Sequence, residues 1–117
     1  MQPEIKLRLL KYLYDTLNAA EEIIINTGDL EVTTYQSSNI KWIVERGIEI
    51  ISEALKRASV LVGDLPLTDL NKIFATRNKI AHEYDIIDPF MLYNIVQKNI
   101  PILINELKDY IEFLERN

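Results

Sequence analysis

Arg77, Asn78, Lys79, Ile80, Ala81, His82, Glu83 and Tyr84 follow one another in a chain of 117 residues, and they include its only histidine. An arginine and a histidine at short spacing supply two requirements of phosphodiester cleavage without a metal. One is a fixed positive charge for a phosphorane transition state; the other is a group that moves protons near neutral pH. Tyr84 adds a hydroxyl two residues beyond the histidine. This octet is the strongest indication of function in the chain.

The apolar stripe that leads into the octet reads Leu70, Ile73, Phe74, Arg77, Ile80, Ala81, Tyr84, so an arginine occupies a position where the pattern asks for an apolar residue. A guanidinium there must be paired or must line a cleft. Glu49 or Glu53 of a neighbouring helix could seal it, and a functional Arg77 is the alternative. His82 lies five residues after Arg77, about 140° away around an ideal helix, whereas Asn78 shares its face and can orient the imidazole. Arg77 and His82 therefore converge only if the helix end distorts or if two protomers meet around a shared cleft. For His82 a capping or surface role stands beside the catalytic one, and Tyr84 can equally be a core or interface tyrosine. Lys79 and Glu83 form an i,i+4 pair, and Asp85 and Asp88 read as turn and cap residues rather than a metal pair.

Four helical stripes must position these groups, with no alternating strand pattern between them, which predicts an all-α antiparallel bundle of four to five helices in a single domain over 1–117. The first runs from about Pro3 to Asn26 on Ile5, Leu9, Leu13, Leu17, Ala20 and Ile24, with Lys11 and Asp15 paired outside and Gly28 at its end. A polar stretch leads to Ser37 or Ser38, a candidate N-cap for a second helix striped by Ile40, Ile43, Gly47, Ile50, Ala54, Ala58 and Leu61. Gly63 to Pro66 read as a turn, after which Thr68 can cap the third helix. Asp88 followed by Pro89 signals the last one, with Tyr93, Val96, Ile100, Leu103, Leu107, Ile111 and Leu114 inside and Pro101 expected to kink it.

A hydrophobic content of 48% is enough for a core. With no cysteine and one histidine, neither a disulfide frame nor a thiolate or imidazole-rich metal site can form within one protomer, and no cofactor is called for. No run of apolar residues is long enough for a membrane span and none resembles a signal peptide, so a cytoplasmic location is expected. The net charge of −5 argues against broad nucleic-acid binding, but it hides an asymmetry. Between Lys56 and His82 five cations face two acids, so this stretch carries +3 and the remainder −8. The basic stretch is the one that holds the octet.

Arg77, His82 and Tyr84 in this spacing resemble the R-x4-H-x-Y signature of HEPN-domain ribonuclease toxins, specifically the HepT-like family. Arg46, Glu49, Ile50, Ile51, Glu53 and Ala54 are similar to that family's Glu-Ile-Ile-Gly-Glu-Ala segment, with Ser52 where the family often has glycine and Leu67 where tryptophan commonly follows the proline. The resemblance implies an endoribonuclease toxin of a type VII-like toxin-antitoxin pair, with Arg77 and His82 as the catalytic residues of a composite site in a homodimer. It further implies that a minimal nucleotidyltransferase antitoxin, MntA-like, neutralises the toxin by adding AMP to Tyr84. The rival reading is a non-catalytic subunit that presents a nucleotide or substrate to that nucleotidyltransferase, with Arg77 gripping phosphate and His82 idle. A plain helical interaction module is a third.

Overall fold

The computed structural model describes residues 1–82 and 87–117, and within them all regular structure is helical, joined by short connections. Helix α1 spans Pro3–Thr27, α2 Ser38–Val62, α3 Leu70–His82, α4 Pro89–Asn94 and α5 Ile100–Arg116. The fold is an all-α bundle, as the periodicity predicts. Among the described residues, no helix is long and apolar enough to cross a membrane.

The principal frame is α1 against α2, with α5 on α1 and α3 on α2. Gly47 is what brings α1 and α2 close: a Cβ there would lie 2.5 Å from Ile23 Cδ1, inside van der Waals contact. Leu9, Leu13, Ile23, Ile48, Ile51, Leu55, Leu103 and Leu107 fill the centre almost without exposure, each contributing roughly 1.5–3 kcal/mol on burial. The expected stripe of α2 is corrected here. Gly47, Ala54 and Ala58 are buried as expected, but Val44, Ile48, Ile51, Ser52 and Leu55 complete the inner face, while Ile40, Ile43 and Leu61 are half-buried and Ile50 is exposed. The reason is that α2 is packed from several sides, by α1, α3, α4 and the segment before it, so no single narrow stripe describes it.

That preceding segment holds a second departure from a plain polar connection. Val32–Gln36 form a short 3₁₀ helix whose Tyr35 is fully buried. Its hydroxyl donates to the Thr27 carbonyl at 2.6 Å, the Gln97 amide donates to the Gly28 carbonyl at 2.7 Å, and together they satisfy carbonyls at the end of α1. The Tyr35 ring meets Tyr93 of α4 edge to face, 5.4 Å between centroids. Gly63 closes α2 at φ +80°, where a residue without Cβ is favoured.

At the other end of the bundle the local signals hold. Asp88 accepts from the Phe90 N–H at 2.9 Å and caps α4 with Pro89 in the first turn. Pro101 has no N–H to donate, and its ring crowds the carbonyl four residues back. The chain answers with a π turn over Ile95–Asn99, where the Ile100 N–H reaches the Ile95 carbonyl, before α5 resumes.

Glu45 on α2 is half-buried, and its Oε2 is enclosed without a hydrogen-bond partner among the described residues; the Ser52 hydroxyl, two turns on, is in the same condition. Burial pushes the Glu45 carboxyl above its ordinary range, opposed by Lys41 one turn before it. Because the folded state then holds the proton to higher pH than the unfolded chain, stability falls as pH rises through this window. Glu45→Gln is therefore expected to raise the melting temperature at neutral pH and to lose that gain below about pH 4, where the native carboxyl is also neutral. An identical difference in melting temperature at both pH values would show that the ionised carboxylate is not the destabilising group.

Candidate ribonuclease site

Helix α3 carries Arg77, Asn78 and His82, and the residues just before it are tied to α5 and the π turn. The Thr68 N–H donates to both oxygens of Glu106, at 3.0 and 3.2 Å, and its hydroxyl donates to the same carboxylate. The expected capping role of Thr68 is thereby corrected: its hydroxyl is engaged by α5, and the helix opens at Asp69, whose carbonyl accepts from the Ile73 N–H. Asp69 in turn accepts from the Asn99 amide at 2.9 Å. These contacts fix where α3 begins and so where its later residues stand. Leu67, in the position where the resembled family commonly has tryptophan, is buried beside this junction.

Along α3, Ile73 and Thr76 are buried while Phe74 and Ile80 are half-buried against the core. Lys56 of α2 lies 5.4 Å from the centroid of the Phe74 ring, so two of the basic stretch's parts meet across α2 and α3. Arg77 occupies its expected place on the inward-leaning side and is half-buried; Asn78, Lys79 and His82 are exposed. The carboxylates considered as seals for Arg77 are each paired on their own helix, Glu49 with Arg46 at 3.3 Å and Glu53 with Arg57 at 3.0 Å. Arg77 is in none of the ion pairs formed among the described residues.

The helix is regular through His82, its last residue. Arg77 and His82 therefore remain about 140° apart around the axis within one chain. Asn78 and His82 share a face, yet among the described residues no hydrogen bond joins them. Glu83, Tyr84 and Asp85 lie outside the described residues, and with them the expected Lys79–Glu83 pair and the acceptor tyrosine. The segment similar to the family's Glu-Ile-Ile-Gly-Glu-Ala run sits on α2, where Ile51 and Ala54 are buried and Arg46, Glu49 and Glu53 face solvent.

What periodicity could not reveal is the company that α3 keeps on its other side. Lys72, Thr76 and Lys79 line a cleft of about 460 Å³ with Asp88, Phe90 and Asn94. The charge count marks Lys72 and Lys79 as part of a basic stretch, but their meeting with α4 is a tertiary fact.

Comparison with known proteins accords with the motif. The family described as Ribonuclease HepT-like matches residues 16–112. Putative RNase MJ1380 of Methanocaldococcus jannaschii is 28% identical over 99 residues, which cover 83% of this chain and 91% of that protein. Putative RNase MJ0125 of the same organism is 27% identical over 106 residues, covering 89% of this chain and 91% of its own length. No solved structure matches the chain. With the family's match spanning residues 16–112, and so all of α2, α3 and α4, the chain belongs to the HepT-like ribonuclease family.

Proposed function

We propose that this protein is a metal-independent endoribonuclease toxin whose active site is assembled between two protomers, Arg77 coming from one and His82 from the other. The observation that carries the reading is the regularity of α3 through His82, which holds the two side chains on different faces of one helix. A two-fold axis beside α3 brings an Arg77 of one copy toward a His82 of its partner, and repeats the arrangement on the other side. Exposed apolar groups on the outer part of α2, Trp42, Ile50 and Val60, suit such an association. A stable dimer should bury at least ~1,000 Å² in total.

In the reaction, the 2′-hydroxyl of the RNA attacks the adjacent phosphorus, the new 2′-O–P bond forming as the P–O5′ bond breaks. His82 moves the proton, and Arg77 holds the charge that builds on the equatorial oxygens. The products are a 2′,3′-cyclic phosphate and a 5′-hydroxyl end. A minimal nucleotidyltransferase of the MntA kind is the proposed antitoxin, transferring AMP to the Tyr84 hydroxyl. The added phosphate brings negative charge and bulk into the octet itself, which opposes binding of an RNA phosphate without refolding the protein.

Mixing two inactive variants tests the shared site. If Arg77→Ala and His82→Ala protomers exchange freely, half the dimers are mixed and each keeps one intact site of two, so about a quarter of wild-type activity returns. A site contained in one chain gives no recovery, and a monomer by light scattering at micromolar concentration excludes the shared cleft as well. A folded, dimeric wild type that cleaves no RNA moves the reading to the non-catalytic subunit.

A further inference from the structure

Three lysines from two parts of the fold line two adjoining clefts, which together form a groove along α3. Lys72 and Lys79 stand on α3 and Lys98 in the π turn, and the two clefts they line, of about 460 and 450 Å³, share Lys72 and Asn94. All three lysines are exposed, and none takes part in the ion pairs formed among the described residues. The two carboxylates of the groove are engaged locally, Asp88 by the Phe90 N–H and Asp69 by the Asn99 amide. On a chain of net charge −5, this sets three exposed lysines beside acids that each accept a hydrogen bond from a near neighbour.

An aromatic ring stands at the same place. Phe90, on the cleft lined by Lys72 and Lys79, is 60% exposed although it is among the most hydrophobic residue types. Lysines spaced along a groove with an exposed ring and a side-chain amide at Asn94 match the needs of single-stranded nucleic acid. Phosphates meet ammonium groups, and an unstacked base finds a flat apolar face. A duplex would keep its base faces hidden from Phe90. The groove also has a direction. Ala75 and Lys79 line it, and His82 lies only about 20° and 60° from them around the helix axis, so the groove runs toward the histidine.

We propose that this groove binds the single-stranded RNA substrate beyond the cleavage site, with Lys72, Lys79 and Lys98 on successive phosphates and a base stacked on Phe90. The inference rests on the reading of His82 as part of a ribonuclease site, and the experiment separates the two. A fluorescent 2′-O-methyl oligoribonucleotide, which lacks the attacking hydroxyl, is titrated into the dimer across a salt series and read by anisotropy. Replacing all three lysines by glutamine is expected to weaken binding at least ~10-fold at low salt and to flatten the slope of log K against log salt by about 2. Phe90→Ala is expected to weaken binding about tenfold with the slope unchanged. Each single Lys→Gln variant should flatten the slope by about 0.7, which keeps the test open if the triple variant melts early.

Wild-type affinity and slope in the triple variant overturn the groove and leave the lysine strip to an acidic protein partner. Cleavage of unmodified RNA by the wild type is measured separately. Cleavage together with unchanged binding by the triple variant sinks the groove alone. Binding that weakens as expected, with no cleavage by the wild type, sinks the ribonuclease reading and keeps the groove.

Discussion

Arg77→Ala and His82→Ala are each expected to remove about 2 to 5 kcal/mol of transition-state stabilisation, a fall in RNA cleavage of roughly 30- to 5,000-fold. Neither change should unfold the protein. His82 is exposed at the end of α3, and Arg77 is half-buried outside the central cluster of leucine and isoleucine side chains. The two losses should differ in kind. Arg77→Lys keeps a charge but not the planar fork that can grip two phosphate oxygens, so it should recover only part of the activity. A histidine removed from proton transfer should change the pH dependence of whatever cleavage remains. A chelator should leave the wild-type rate unchanged, because a chain with one histidine and no cysteine offers phosphate chemistry a guanidinium and an imidazole in place of a metal cluster. Full activity in His82→Ala, or cleavage abolished by chelation, would return attention to the carboxylates or to a contaminating nuclease.

Much of the scaffold behind this site was legible because its signals are local. The inner stripe of α5 and the Asp88–Pro89 start of α4 depend on residues within a few positions of one another, and each appears where the spacing puts it. Pro101 announced an interruption, and the π turn before it is the form that interruption takes. Tyr35 shows the limit. A tyrosine in a polar connection gives no periodic sign of burial, and it is buried because the end of α1 needs a donor and α4 brings Tyr93 to its ring. The true inner face of α2 was hidden for a related reason: several elements pack on it, and each recruits different residues. Thr68 looked like a cap by position, yet Glu106, 38 residues away, claims its hydroxyl.

Residue types alone suggest a chemistry for the octet, while its geometry is not legible in them. Arginine at position 77 breaks an apolar stripe, and that irregularity points to a functional group because a bundle this small has little room for an unpaired guanidinium. His82, the residue proposed to complete the site, lies about 140° away on the same helix. A single chain's periodicity contains no information about a symmetry axis, so the shared cleft had to be inferred from the mismatch between chemical need and helical direction. The lysine groove was partly visible for the same reason. Charge counting isolates Lys72 and Lys79, but only the tertiary fold, which sets α3 across a cleft from α4 and the π turn, brings them near Phe90 and Lys98.

Tyr84→Phe is expected to separate toxicity from its control more sharply than any other single change. The substitution deletes one oxygen and keeps the ring, so the variant should fold, dimerise and cleave RNA as the wild type does. What it lacks is the nucleophile. In AMP transfer the phenolic oxygen attacks the α-phosphorus of ATP, the new O–P bond forms as the bond to pyrophosphate breaks, and magnesium neutralises the leaving group. Without that oxygen the partner enzyme has nothing to modify at this position, and the toxin stays active. Intact-mass spectrometry after incubation with the nucleotidyltransferase, ATP and magnesium reads the outcome directly: the wild type should gain one or more AMP units and Tyr84→Phe none. Cells producing both proteins should survive with the wild-type toxin and arrest with the variant. Equal AMP gain by the two proteins would falsify the assignment and pass the acceptor role to another of the six tyrosines. Among those, Tyr35 is enclosed in the core, whereas Tyr14 lies on the surface with its hydroxyl committed to Glu115 at 2.8 Å, a contact that raises its pKa and makes it a poorer nucleophile. Tyr84 stands two residues from His82 in sequence, so under the proposed mechanism an added phosphate would compete with RNA for the same positive charge, and modification and inhibition would be a single event.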